Sequence, residues 1–395
     1  MKSPYFYSLA VGLSCLTLTV LPACAQPAPQ STGQGEEQTA MSKGDTIEAI
    51  ADEFLEQVDA YRQEDQIPGV AIALVQGNRT VLLEALGSRD LDRNLPVTPD
   101  TLFHIGSTHK SMTALLLATL VDDGIVDWDT PVVEIDPDFE LRREESTETV
   151  TLRHLLSMRS GIPDTAEDGF DLEQSEAEDL FDYVAEVNLL GAPEDAFSYS
   201  NLSTSLAGYL AAIAMDEESG QSLYGSYGQL LQNRVLDPIG MSRSTILAST
   251  AQRDADHSRS YVFGSGEPQL AESEDRDGDP LAPSGSLKAS ITDMARYIST
   301  QVNGGVAPDG QSVVSTANLR ETWQPRWGNY AMGWEVKEIQ GISVVSHEGS
   351  YDNFLSIIGI IPSHDVGFVI LTNSNEAATD LINDAPGLIV ELLEQ

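Results

Sequence analysis

With 395 residues, 41% of them hydrophobic and 21% charged, the chain can bury a full core as one large domain or two lobes sharing an interface, which excludes disorder as its general state. Its 62 acidic residues against 21 basic ones give a formal net charge of -41, which argues against nucleic acid and anionic lipid as partners. Such an acidic, lysine-poor composition favours solubility and suits a salty or extracellular setting.

The opening MKSPYFYSLAVGLSCLTLTVLPACAQPAPQ has one lysine, an apolar run from Leu9 to Leu21 and then small residues. That is the layout of a secretory signal, and the run is too short for a membrane span. Residues 1–25 are therefore expected to be removed and the protein exported to a periplasmic or extracellular space. Cleavage after Ala23-Cys24-Ala25 leaves no cysteine in the mature chain. Cleavage before Cys24, in a stretch resembling a bacterial lipoprotein box, leaves one acylated cysteine as a membrane tether. Either way no internal disulfide can form, and the core alone must hold the fold. Residues 26–45, rich in Gln, Pro, Ser, Thr and Gly, read as a flexible linker, and residues 46–395 as the folded domain.

Ile47, Ile50, Ala51, Phe54, Leu55 and Val58 recur at helical spacing, with Asp45 placed to cap the start. GVAIALVQGNRTVLLEALG then reads as two strands joined at Gln76-Gly77-Asn78-Arg79. The C-terminal third supplies more short strands, in YAMGWEVKEI, GISVVSH, FLSIIGIIP and VGFVILTN, before a final helix that contains Pro386. Residues 104 to 240 read mainly as helices and loops. Strands at both ends and helices between them predict an α+β fold: one antiparallel sheet built from both chain ends and flanked by helices, plus a mostly helical lobe.

FHIGSTHKSMTALLLATLVDDG places one of only five lysines inside an apolar helix running from Ser107 to Val121 and closed by Gly124. Ser107 and Lys110, three residues apart, share one face at the helix start. Burial and the positive N-terminal end of a helix both push such an amine towards its neutral form, which is a base able to take a proton from Ser107. Taken alone, the pair reads sooner as a snorkelling lysine beside a capping serine.

Two further motifs follow in order, Tyr199-Ser200-Asn201 and His347-Glu348-Gly349. With Ser107-Thr108-His109-Lys110 as an S-x-x-K, the segment from about residue 46 to the C-terminus closely resembles the penicillin-recognising serine hydrolases, the superfamily of β-lactamases and D,D-peptidases. The resemblance implies a β-lactamase/transpeptidase-like fold and an acyl-enzyme on Ser107. Lys110 and Tyr199 would move protons, and Asn201 would meet a substrate amide. It further implies that His347 lines the site, that Gly349 lets substrate approach the backbone, and that the backbone NH groups of Ser350 and Ser107 form an oxyanion hole. Tyr199 as a half-buried aromatic, Asn201 as a helix cap and His347 as a core ring are the structural alternatives.

A lysine is usual in the third motif of true β-lactamases, and its fixed charge helps hold the drug's carboxylate. Histidine there is largely neutral near pH 7 and resembles the D,D-carboxypeptidases, D-aminopeptidases and esterases of the superfamily. The expected substrates are D-amino-acid peptides or small esters. A class C-like β-lactamase and a catalytically inactive binding module are the alternatives. No G-x-S-x-G, H-E-x-x-H or glycine-rich phosphate cradle occurs, so neither a metal nor another cofactor is expected. SEDRDGDP resembles a calcium loop through Asp275, Asp277 and Asp279, but Pro280 and Ser286 stand where that loop needs glycine and glutamate, so a solvated acidic loop is expected.

Overall fold

The computed structural model describes residues 46–215, 221–264, 266–273 and 275–395. The expected signal, the linker, Cys24 and Asp45 lie outside the described residues. The first helix forms over Ile47–Glu64 and buries Ala51, Phe54 and Val58 along one stripe. Its cap is Thr46, whose side chain accepts from the Ala49 amide at 3.3 Å, one residue beyond the cap expected from sequence.

Seven strands form one antiparallel sheet: β1 (Gly69–Gln76), β2 (Arg79–Asp90), β3 (Leu95–Pro96), β4 (Glu335–Ile339), β5 (Ile342–Tyr351), β6 (Phe354–Ile361) and β7 (Val366–Thr372), in the order β3-β2-β1-β7-β6-β5-β4. The two chain ends meet at its centre, where β1 pairs with β7 from Val70↔Thr372 to Gln76↔Val366. Period-two alternation then assigns the faces. Val70, Ile72, Leu74, Phe368 and Ile370 pack towards the helices Ile47–Glu64 and Asn375–Leu393, the latter holding Pro386 within it. Ala71, Ala73, Val75, Val369 and Leu371 pack towards the helix Ile291–Val302 and the helical part of the chain.

Residue parity on β5 and β6 brings the sheet to the catalytic motifs. Val345 points into the helical core, so His347 and Gly349, two and four residues further on, share its face. Ser356 on β6 lies on the same side and donates to the Ile105 carbonyl at 2.8 Å. A ladder of two residues per strand, Phe103–His104 against Lys288–Ala289, adds a second tie that no sequence pattern announced.

The acidic loop is solvated only in part: Asp277 is exposed as expected, and the other two carboxylates are not. Asp275 is buried in an ion pair with Lys288 at 2.7 Å. Asp279 is 7% exposed and accepts from the Leu281 amide at 2.9 Å and from the hydroxyls of Ser286 and Tyr351. These carboxylates are consumed by protein donors, because a buried charge must be paired or hydrogen-bonded.

Candidate active site

Ser107 sits in a single 3-10 turn, Gly106–His109, that runs into an α-helix, Lys110–Asp122. The sequence reading placed Ser107 in the α-helix itself. The difference matters, because in a 3-10 turn side chains three residues apart eclipse one another. The helix is buried at every position from Lys110 to Leu120 and ends at Gly124, whose φ of +69° closes it.

Lys110 is completely buried, and its Nζ has three oxygen partners: Ser107 Oγ at 2.9 Å, Asn201 Oδ1 at 2.6 Å and the Ser284 carbonyl at 2.9 Å. An ammonium would donate to all three. A neutral amine would give its two N–H bonds to Asn201 and Ser284 and turn its lone pair to Ser107. Burial holds the amine down at about 7 from an ordinary 10.5, while the charge of Glu167 pulls it back up. Near neutral pH the neutral state is therefore well populated.

Tyr199 packs its ring against this amine, 4.8 Å from Nζ to ring centroid, and Ser107 is the side chain that draws its phenol down against burial. Burial raises the phenol above its ordinary range, so it stays protonated. Asn201 opens the helix Asn201–Ala214, and the cap is Ser200, which accepts from the Ser203 amide at 3.3 Å. The Asn201 amide is thus free of capping and has other partners on both ends: its oxygen faces Lys110, and its Nδ2 donates to Glu167 Oε2 at 2.8 Å.

His347 is buried on β5 with both ring nitrogens engaged. Nδ1 lies 2.5 Å from the Glu348 carbonyl and must donate to it, so Nε2 accepts from the Tyr330 hydroxyl at 2.9 Å. Burial and the Lys110 charge push this imidazole down to about 4, so it is a neutral group at pH 7. Gly349 lines the cavity and also has a packing task. A Cβ there would lie 2.1 Å from the Ile105 carbonyl and 2.9 Å from the Thr108 amide, so its missing side chain admits the nucleophile turn. Gly106 is its counterpart, with φ +53° and a hypothetical Cβ 2.6 Å from the Ser350 amide. Two glycines thereby bring the backbones of Ser350 and Ser107 together, while the Ser350 hydroxyl accepts from Asn375 at 2.8 Å.

All seven residues singled out from sequence, Ser107, Lys110, Tyr199, Asn201, His347, Gly349 and Ser350, converge here. Five of them line a cavity of about 280 Å³ whose remaining wall includes Glu335, Lys337 and Glu348. Lys337 is paired with Glu335 at 2.6 Å. A larger cavity, about 560 Å³, lies beside His104 and Lys288 and does not include Ser107 among its walls. The sequence reading missed Glu167, the Ser284 carbonyl and Tyr330. Ser284 lies 174 positions from Lys110, and no local pattern marks such a partner.

A family model described as Beta-lactamase matches residues 51–390. Penicillin-binding protein 4 of Amycolatopsis lactamdurans is 30% identical over 84% of this chain and 88% of its own. The unguisins hydrolase ungD' of Aspergillus campestris is 29% identical over 84% of this chain, which spans 62% of that protein's length. Among solved structures, the octameric penicillin-binding protein homologue from Pyrococcus abyssi superimposes with a TM-score of 0.72 at 25% identity, covering 86% of this chain and 77% of that one.

Proposed function

This chain belongs to the Beta-lactamase family, and from that premise we propose that it is a serine hydrolase working through an acyl-enzyme on Ser107. The observation that carries the reading is the three-oxygen environment of Lys110, in which a neutral amine has only its lone pair left for the Ser107 hydroxyl. Ser107 Oγ attacks a substrate carbonyl and forms the C–O bond as its proton passes to Lys110. The Ser350 and Ser107 amides receive the oxyanion, and each such donor is typically worth about 3 kcal/mol. Tyr199, beside Ser107 and Lys110, hands a proton to the leaving group as its bond to the acyl carbon breaks, and is replenished from Lys110. Water then attacks the ester by the reverse path and frees Ser107.

The wall of the site guides the substrate reading. His347 is neutral, and Lys337 is already paired with Glu335, so this wall offers a substrate carboxylate no unpaired cation. That supports neutral or cationic substrates, namely short esters and D-amino-acid peptides bearing a free amine, over β-lactams and peptides that must dock a carboxylate. Residues 1–25 support export, and the mass of the mature protein checks whether they are removed and whether Cys24 is acylated.

Two measurements test the reading. p-Nitrophenyl acetate should be turned over by the native protein and not by Ser107→Ala; equal rates for the two would sink it. Side by side, a short ester and an amine-bearing D-peptide should be cleaved faster than a chromogenic cephalosporin, and rapid cephalosporin turnover would overturn the charge argument.

A further inference from the structure

Asn201 can serve Lys110 in only one of its two amide orientations. With Oδ1 inward it accepts from Nζ at 2.6 Å; flipped, it would present an N–H to an amine that already needs that position as an acceptor. The flip is settled by the other end of the amide, where Nδ2 lies 2.8 Å from Glu167 Oε2. A carboxylate can only accept, so Asn201 must offer its nitrogen there and its oxygen to Lys110. Glu167 comes from a 3-10 segment, Asp164–Gly169, and belongs to none of the sequence motifs. We propose that Glu167 is a positioning residue of this site, whose carboxylate fixes the Asn201 amide so that the Lys110 amine directs its lone pair at Ser107.

This deepens the hydrolase reading and rests on it. The groups facing Lys110 are Ser107 on its own turn, Tyr199 and Asn201 from the start of the next long helix, the Ser284 carbonyl, and Glu167. His347 and His109 feel its charge and are themselves held neutral by burial, and Glu335 acts on Tyr199 and His347. Glu167 is the one carboxylate that opposes the burial of this amine. Glutamine at 167 keeps the size and the hydrogen-bonding capacity but can donate or accept, so it no longer dictates the flip, and it removes the charge.

The experiment uses the full chain with lysine labelled at Cε. Five lysines give few signals, and a Lys110→Met protein identifies the one of interest. In the native protein that signal should titrate near 7. In Glu167→Gln it should titrate at lower pH, the acid limb of the kcat/KM profile for an ester should move the same way, and kcat should fall roughly ten- to a hundredfold with KM little changed. Glu167→Asp, which keeps the charge, should leave the lysine midpoint near its native value. Glu167→Ala should repeat the glutamine result and serves in its place if that variant folds poorly. An unmoved Lys110 midpoint and an unchanged kcat in both charge-free variants would overturn the proposal. The lysine signal is read without substrate, so absence of ester turnover by the native protein would count against the hydrolase reading alone.

Discussion

Lys110 shows how a single side chain can hold a fold back while equipping it. Its amine titrates at about 7 when folded and near 10.5 when free, so between those values the unfolded chain binds the additional proton. Stability therefore rises with pH over that window on account of this group, and its burial costs a few kcal/mol below it. Lys110→Met should consequently melt at a higher temperature than the native protein near pH 7, and lose the part of the pH dependence that lies above it. The same variant should lose at least about 10² in kcat/KM, the usual contribution of a positioned general base; a variant that kept its rate would remove Lys110 from the chemistry. For the native enzyme, kcat/KM should climb as pH passes through about 7, because only the neutral amine can accept the Ser107 proton. The spacing of Ser107 and Lys110 made this pair legible in the sequence. Glu167 was not, since one glutamate among 62 acidic residues carries no signal until Asn201 is seen to need an acceptor.

At the scale of elements, the site depends on a strand and a turn approaching more closely than side chains allow. Gly349→Ala would drive a methyl group into the Ile105 carbonyl. Urea unfolding should show a loss of about 1–3 kcal/mol, the usual cost of overpacking, and the Ser350 amide should be displaced, with a fall in kcat. Gly106→Ala adds the strain of a φ of +53° to a collision with Ser350 and should be the more damaging of the two. The sequence made the strands legible through alternating apolar runs, and it placed His347 beside the nucleophile. It could not tell whether a glycine makes room for substrate or for backbone, because that depends on what lies opposite. Nor did it reveal the pairing of Phe103–His104 with Lys288–Ala289, which is too short for any period to emerge. The burial of Asp275 in the acidic loop was hidden for a related reason: Lys288, its partner, declares itself only once the chain is folded.

For the molecule as a whole, a charge of -41 means that most of the acidic residues repel one another across the surface. Raising salt from about 0.1 M to about 1 M shortens the screening length from about 10 Å to about 3 Å, so the melting temperature should rise over that range; a flat or falling response would show that local pairs such as Arg153 with Asp129 and Glu321 already neutralise the field. The general architecture was legible because strands cluster at the two ends of the chain and helices fill the middle. One outcome of that arrangement concerns synthesis. The two strands that zip together at the centre of the sheet are about 300 residues apart, so β1 has no β7 partner until all of the chain between them has been made. During that interval its hydrophobic row, Val70 to Val75, is a liability that the growing polypeptide must keep from sticking to other nascent chains, and a premature stop anywhere before residue 366 leaves it permanently unpaired on that side.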